Sequence, residues 1–169
     1  DHRVLLSFPT RRSSDLQARD LTEDKEIIVV PTKTIPQGIS AMISFVPEKG
    51  GEENLASMTD AISRVKTGQI TYAVRDTRID DKEIHEGDIM GIGDAGILAV
   101  GRDRLQVAEE MVAEMVDEES EIISVYYGED VSEEDAEALS DSLTEKYPEC
   151  EVELNQGGQP IYYYLISVE

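Results

Sequence analysis

The stretch VVPTKTIPQGISAM, from Val29 to Met42, constrains the fold of this chain more than any other. An apolar strand runs directly into a loop punctuated by Pro31, Pro36 and Gly38, and the loop leads into a helix. Proteins of the α/β class use this arrangement to present backbone N–H groups and a few side chains at the ends of sheet strands. The stretch therefore predicts an α/β protein with a ligand or partner site near this loop.

The spacing of apolar residues elsewhere predicts a mixed sheet with flanking helices. Short apolar or alternating runs predict strands at residues 26–30, 69–74, 122–127, 151–154 and 162–168. Helical spacing predicts helices at residues 54–65, 102–116 and from residue 132 onwards. Residues 38–45 are predicted to form a brief helix or turn. Turn residues at Asp80-Asp81, Glu86-Gly87 and Asp94-Ala95-Gly96 predict a small β-meander between residues 77 and 101. The fold class is therefore α/β, and we expect the chain to be a fragment of a larger domain.

Two patterns predict which side chains face the core. Ile70, Tyr72 and Val74 share one face of the strand at 69–74, as in a half-buried strand. The predicted buried stripe of the helix at 102–116 consists of Leu105, Ala108, Val112 and Met115. Ser132 precedes the last helix, with Asp135 three residues later, which is typical of a capped helix start.

The first sixteen residues fit nothing that follows. Ser7 to Leu16 reads SFPTRRSSDL, which is the translation of a sequencing-library adapter. We therefore interpret residues 1–16 as a non-native tail, the alternative being a disordered basic tail, and expect it to make no packed contact with the rest. Residues 17–169 are then one domain whose own N-terminal side is missing.

The strong negative charge of the chain makes some classes of partner unfavourable. Residues 17–169 carry 12 Lys and Arg against 35 Asp and Glu, and residues 102–169 contain three basic residues against twenty acids. A chain this acidic repels phosphate backbones and anionic lipid, so neither nucleic acid nor a membrane surface is an expected partner. No apolar run reaches the roughly 18 residues of a membrane helix, and one cysteine forms no internal disulfide. A cytoplasmic setting is expected.

Several apparent motifs have simpler explanations. Gly91 to Gly96 matches G-x-G-x-x-G, but a strand and not a helix is predicted to follow it, which favours a hairpin turn. The acids between Arg75 and Asp88 lack the spacing of a calcium loop. His85 is isolated. Cys150 has no neighbour in sequence that would activate a thiolate, so we interpret it as a packing residue. We predict no catalytic residue and no metal ligand in this chain.

Three groups of residues are candidates for binding a partner or an anion. The loop and helix start offer polar side chains and backbone N–H groups that we expect to be free around Gly38 to Ser40. The alternative is a polar crossover in which Thr34 or Gln37 only caps the helix. The candidates are Thr32, Lys33, Thr34, Gln37, Gly38 and Ser40 in this loop, Arg75 and Asp76 after the second apolar strand, and Gly157, Gly158 and Gln159 in the last turn.

Four segments carry a resemblance to a known family: PTKTIPQGIS, VKTGQITYAVRDT, YYGEDVSEEDAE and GGQPIYYYLISVE. From about Leu21 to the end, the chain resembles the C-terminal part of the ATP-binding subunit of bacterial fatty acid kinase, a dihydroxyacetone-kinase-like protein. The resemblance implies a kinase that phosphorylates a fatty acid held by a DegV-type acyl-binding protein, giving an acyl phosphate for phospholipid synthesis. It also implies that ATP and Mg²⁺ belong to a helical N-terminal nucleotide domain, which is absent from these residues together with a central region.

The expected partners are therefore the DegV-type acyl-binding protein and the chain's own N-terminal nucleotide domain, and the full-length protein is a candidate homodimer. We expect this part of the kinase to dock the acyl-binding protein without being catalytic. One alternative is a half-domain that completes the active site, with Lys33 or Arg75 contacting the acyl phosphate. Another is a small-ligand regulatory domain with residues 31–37 as its pocket.

Overall fold

The chain forms two compact units, Asp1–Val65 and Lys66–Glu169. The computed structural model describes residues 3–6, 17, 21, 27–79 and 82–169. No helix within those residues is long and apolar enough to cross a membrane. The prediction that residues 17–169 are one domain of a longer protein stays a prediction.

Among its described residues, the first unit contains two parallel strands followed by two helices. Strand β1 (Arg3–Leu6) lies beside β2 (Ile27–Val30), and helices α1 (Ile35–Ile43) and α2 (Gly51–Arg64) follow. Its buried apolar core consists of Val30, Ala41, Met58 and Ile62, with Phe45 and Leu55 packed against it. Asn54 orders the connection between the helices, because its side chain accepts from the Val46 N–H and donates to the Val46 and Lys49 carbonyls.

The expectation that residues 1–16 make no packed contact is wrong for strand β1. Arg3 pairs with Ile27 and Leu6 with Val30 along a parallel ladder. Any extended segment can pair with an open strand edge through its backbone alone, whatever its side chains. The pairing of β1 with β2 therefore does not bear on whether residues 1–16 are a non-native tail. Residues 7–16, which carry the adapter-like sequence, lie outside the described residues.

The second unit contains a six-stranded mixed sheet and confirms the predicted fold class. Its strand order is β7-β6-β3-β10-β8-β9, and only the β8–β9 pair is parallel. The strands are β3 (Lys66–Tyr72), β6 (Ile89–Gly93), β7 (Gly96–Gly101), β8 (Ile122–Tyr127), β9 (Glu151–Gln156) and β10 (Tyr164–Val168). A separate hairpin joins β4 (Thr77–Ile79) to β5 (Lys82–Ile84), and its turn at Asp80-Asp81 lies outside the described residues. These hairpins confirm the predicted β-meander.

Two helices pack on this sheet and enclose its core. Helix α3 (Arg104–Met115) contacts β7, β6, β3 and β10, while α4 (Glu133–Lys146) contacts β9 and α3. Met111 explains two glycines of the sheet, since a Cβ atom on Gly68 or Gly91 would lie within 3.0 Å of its side chain. Both helices have polar N-caps, of which Ser132 was predicted: Asp103 accepts from the Gln106 N–H, and Ser132 from the Asp135 N–H.

Three of the predicted core side chains are exposed. Tyr72, the last residue of β3, is 39% exposed. Val74 lies beyond the end of β3 and is 73% exposed, because the strand stops at Tyr72. Leu105 is 37% exposed, whereas Val107 and Met111 are buried. The other three residues of the predicted stripe on α3 are buried as expected. Leu105 is the second residue of α3 and precedes the buried residues, which begin at Val107.

Candidate functional site

The loop before α1 uses many of its polar groups internally. Thr34 is the N-cap of α1 and its Oγ1 accepts from the Gln37 N–H at 3.4 Å. The Gln37 side chain is 8% exposed, and its Oε1 accepts from the Lys33 N–H at 2.8 Å. Thr32 and Ser40 are also buried. The Lys33 side chain is exposed, so it is the cation that this loop presents to solvent.

The expectation of free N–H groups around Gly38 to Ser40 is wrong at Gly38. Helix α1 begins at Ile35, three residues earlier than predicted, because Pro36 occupies a first-turn position that needs no N–H donor. The Gly38 N–H consequently donates to the Thr34 carbonyl at 3.1 Å as the first helical hydrogen bond. The predicted alternative, in which Thr34 caps the helix, describes this loop.

The remaining candidate residues gather at one end of the six-stranded sheet. We call this region the site end: β3, β7, β8 and β9 finish there, and β6 and β10 begin there. Its connections are residues 73–76, 85–88, 102–105, 128–135 and 157–163. The structure therefore brings Arg75 and Asp76 to the same end of the sheet as Gly157, Gly158 and Gln159.

The turn at Gly157 to Gln159 is fixed to the end of β8. The N–H groups of Gly157 and Gly158 both donate to the Tyr127 carbonyl at 3.0 Å. Gln159 donates from its side chain to the Tyr126 carbonyl at 2.9 Å, and its own carbonyl accepts from the Glu129 N–H at 3.1 Å. Gly158 has a φ of 64°, a conformation that glycine adopts at little cost. These residues thus order the site end, and most of the turn's backbone groups are already hydrogen-bonded within the chain.

Ile161, just after this turn, has an unusual backbone conformation. Its φ is 73°, and the Tyr162 N–H donates across it to the Pro160 carbonyl at 2.8 Å, which closes a three-residue turn. Such a turn with positive φ is rare and strained, the more so at a β-branched residue. The Ile161 carbonyl accepts from the Thr71 hydroxyl at 3.1 Å, while its side chain is 58% exposed. The strained turn therefore presents an apolar side chain to solvent.

Aromatic side chains and one arginine lie beside this turn. The rings of Tyr72 and Tyr163 are 6.0 Å apart, and the Arg104 guanidinium lies 4.9 Å from the centre of the Tyr163 ring. Arg104 also donates to the Asp130 carbonyl at 3.1 Å and pairs with Asp135 at 3.3 Å. These contacts join β3, the segment before β10, α3 and α4 at the site end. Sequence reasoning missed Arg104, Ile161 and Tyr163, although the run PIYYYL marked an unusual concentration of aromatic residues.

Arg75 and Asp76 occupy the segment that follows β3. Asp76 accepts from the Glu86 N–H at 2.8 Å, and its carboxylate lies 3.8 Å from Nδ1 of His85. The Asp88 carboxylate accepts from the His85 N–H and lies 3.8 Å from Arg102. The acids of this region thus hold the backbone of a hairpin, whereas Arg75 is exposed.

An open groove runs along β7 and reaches the site end. Its volume is about 600 Å³, and beside His85 it is lined by charged residues of both signs: Lys82, Glu83, Asp88, Arg102 and Glu110. The Lys82 ammonium donates to the Ile97 and Leu98 carbonyls, so one of its cations is already engaged. The groove's mixed charge favours no single class of ligand. Within residues 27–79 and 82–169, no three His, Cys, Asp or Glu side chains are grouped to hold a metal ion.

Two titratable groups illustrate how burial acts near this sheet. Burial raises the pKa of Tyr164 to about 12, with Asp135 and Asp103 adding to the increase and Arg104 opposing it. Burial also raises the pKa of the Cys150 thiol, and its Sγ lies 3.3 Å from the Ser120 carbonyl. Cys150 accordingly behaves as a packing residue, in agreement with the sequence prediction.

Comparison with known proteins gives a family and a fold. Residues 13–169 match the FakA-like family, which describes the C-terminal part of a fatty acid kinase protein. Over 146 residues, 86% of this chain, the sequence is 47% identical to Protein YloV of Bacillus subtilis and 44% identical to an uncharacterised protein of Staphylococcus aureus strain USA300. The chain spans 26% and 27% of those two relatives, about a quarter of their length.

Solved structures resemble the fold at low sequence identity. The Streptococcus pneumoniae fatty acid kinase (Fak) B3 protein loaded with linoleic acid has a TM-score of 0.67 at 13% identity, covering 98% of this chain and 70% of its own. The DegV family protein Cg2579 of Corynebacterium glutamicum has a TM-score of 0.68 at 14% identity, covering 98% and 73%. The dihydroxyacetone kinase of C. freundii gives 0.56 at 15% identity, covering 98% and 38%. These likenesses establish a shared fold.

Proposed function

This chain belongs to the FakA-like C-terminal family of fatty acid kinase, and from that premise we propose that it docks a DegV-type acyl-binding protein for its parent kinase. In the full-length kinase, a carboxylate oxygen of the bound fatty acid attacks the γ-phosphorus of ATP, the bond to the bridging oxygen breaks, and ADP leaves with acyl phosphate as the other product. ATP and Mg²⁺ belong to the N-terminal domain. This part of the kinase positions the partner in the cytoplasm and supplies no catalytic residue.

The observation that carries the proposal is the character of the site end. Tyr72, Val74 and Ile161 are all more than a third exposed there, beside the exposed cation Arg75. Exposed aromatic and aliphatic groups with charged neighbours are typical of protein interfaces. A small-ligand site would instead need a concave, mostly apolar pocket, and the groove along β7 is open and charged.

The loop at residues 31–40 remains a second candidate contact through Lys33. The buried Gln37 supports that loop through the Lys33 backbone and presents little surface to a partner. We therefore expect alanine at Lys33 or Arg75 to weaken binding of the acyl-binding protein by removing an exposed cation. Substituting Gln37 would act indirectly, by loosening the loop.

Reconstitution tests the proposal against active-site completion. The chain is titrated calorimetrically, without nucleotide, with Fak B3 of S. pneumoniae loaded with linoleic acid and with two further DegV proteins. Docking predicts saturable binding of at least one of them. In parallel, Arg75→Ala is placed in the full-length kinase and turnover is measured as the acyl-binding protein is varied. Docking predicts a higher KM for that protein with kcat retained.

The opposite pattern favours the competing function. A large fall in kcat, with binding of the acyl-binding protein intact, would mean that this region completes the active site. Absence of binding to all three DegV proteins would contradict docking itself. Lys33→Ala is measured in the same two assays for comparison with Arg75→Ala, since it removes a cation from the first unit and leaves the site end unchanged.

A further inference from the structure

The strained turn at Ile161 combines two features that packing inside the second unit does not explain. A β-branched residue with a φ of 73° is held by the Tyr162-to-Pro160 hydrogen bond and by the Thr71 hydroxyl. Its side chain nevertheless stays 58% exposed, so the fold gains little buried apolar area from it. Strained residues of this kind cluster at functional sites and ligand clamps, where the strain serves binding.

The surroundings of Ile161 form an apolar centre with an acidic margin. Tyr72 and Tyr163 are in ring contact beside it, and Val74 adds a further exposed side chain. Glu129 and Asp130 lie on the adjacent segment, because the Glu129 N–H donates to the Gln159 carbonyl and the Gly128 N–H to the Tyr163 carbonyl. Both acids are exposed and precede the helix cap Ser132, so they stand outside the first turn of α4.

Charge complementarity defines the occupant of this surface. The five connections of the site end contain nine carboxylates and three arginines, and two of those arginines, Arg102 and Arg104, already face carboxylates. An apolar centre flanked by Glu129 and Asp130 is complementary to a protein surface whose apolar socket carries Lys or Arg on the side of these acids and a carboxylate opposite Arg75.

We propose that Ile161 is the anchor residue of the docking surface and that it inserts into an apolar socket with a basic margin on the acyl-binding protein. The inference rests on the proposed docking function and assigns its contact. The positive φ of Ile161 projects the side chain from the turn and fixes it before binding, which lowers the entropy cost of association. Glu129 and Asp130 then pair with the partner's cations at the margin of the contact.

Two substitutions at Ile161 separate the anchor role from the strain. Ile161→Ala removes the apolar side chain, and Ile161→Gly removes the side chain and the backbone strain together. Both variants should bind the DegV-type acyl-binding protein at least 10-fold more weakly, as anchor residues typically do. Ile161→Gly alone should also melt about 2–4 °C higher than the unsubstituted chain, since glycine accepts this φ at low cost.

The matched control is Ile43→Ala, which removes the same side chain from an exposed position, 78% accessible, in the first unit. Its affinity should stay within about twofold of the unsubstituted chain, the range expected of a surface change outside a contact. Charge is tested with the double variant Glu129→Gln and Asp130→Asn, measured at low and at physiological salt. We expect binding to weaken several-fold at low salt and the salt dependence to flatten.

The outcomes distinguish this inference from the proposed function. If the unsubstituted chain binds and both Ile161 variants bind with the same affinity as that chain, the anchor assignment is wrong while docking stands. If the Ile161 variants lose affinity no more than Ile43→Ala, the contact lies elsewhere. If the unsubstituted chain binds none of the DegV proteins tested, docking fails and the anchor fails with it. Melting curves of every variant verify that a loss of binding is not a loss of folding.

Discussion

The loop at residues 31–40 and the site end of the six-stranded sheet both follow an apolar strand, yet they use their residues differently. In the loop, Thr34 caps a helix, Gln37 is buried against the Lys33 backbone, and the Gly38 N–H begins the helical ladder. At the site end, backbone groups are equally well bonded, but Ile161 and Tyr72 remain exposed. A distinctive sequence can therefore encode local structure in one place and a surface in another.

The two regions differ in which groups remain available to a partner once the chain has folded. A polar segment whose donors and acceptors are paired internally has few groups to offer a partner, whatever its composition. Exposed apolar side chains on an ordered backbone can still contribute the full free energy of burial when a partner covers them, because little ordering is left to occur on association. Docking capacity in this chain is thus expected to follow exposed apolar area more closely than polar sequence motifs.

The largest expected effect is on the backbone of the site end. A Cβ atom on Gly128 would lie 2.2 Å from the Tyr162 carbonyl oxygen and 2.6 Å from that of Gln159. Because backbone cannot move aside as a flexible side chain does, Gly128→Ala should lower the free energy of unfolding by about 2–3 kcal/mol. Urea unfolding measures this, with Gly50→Ser as the control, since nothing lies within 4 Å of a Cβ there. A loss below 0.5 kcal/mol, roughly that of an ordinary surface change, would contradict the close packing at Gly128.

The second prediction compares two neighbours in the loop. Gln37→Ala leaves the Lys33 N–H without its acceptor in a nearly buried setting, so we expect a loss of about 1–2 kcal/mol in unfolding free energy. Lys33→Ala removes an exposed side chain and should change stability by less than about 0.5 kcal/mol. Equal effects of the two substitutions in chemical unfolding would remove the distinction between supporting and presenting residues in this loop.

The third prediction is a loss of stability at high pH. Tyr164 stays protonated in the folded protein up to a pKa of about 12, whereas its ordinary value is 10.0. A raised folded-state pKa favours folding fully below pH 10, and this contribution is lost as the pH rises through 10 towards 12. The difference between pH 9 and pH 11 should be about 1 kcal/mol. Tyr164→Phe should unfold with less pH dependence in this window; an unchanged profile would show that other groups cause it.

The smallest expected effect is chemical. Burial raises the pKa of the Cys150 thiol, so less thiolate is present near pH 8 than for an ordinary cysteine. Alkylation with iodoacetamide at pH 8 should be several-fold slower in the native protein than in the denatured chain. Equal rates in the two states would mean that Cys150 is an accessible thiol, contrary to its packed position.

Regular patterns in the sequence predicted much of the fold, whereas irregular features of the structure could not be predicted from them. Strand β8 and helix α4 are confirmed because their apolar spacing and the Ser132 cap agree with each other. Gly91 to Gly96 is the predicted hairpin, since a strand follows it. Leu105 was misassigned because periodicity alone does not show at which residue the buried stripe of a helix begins. The exposed Ile161 escaped because a positive φ at isoleucine contradicts residue preference.

Hydrogen exchange of the chain with and without the DegV-type acyl-binding protein tests the central claim most directly. Docking through the site end predicts slower exchange on binding in peptides covering residues 72–76, 128–131 and 157–163, with Ile161→Ala reducing that protection at equal concentrations. Residues 115–121, at the opposite end of the sheet, should exchange unchanged. Protection confined to residues 29–42, or absent from 157–163 at saturating partner, would contradict the claim that the site end is the docking surface.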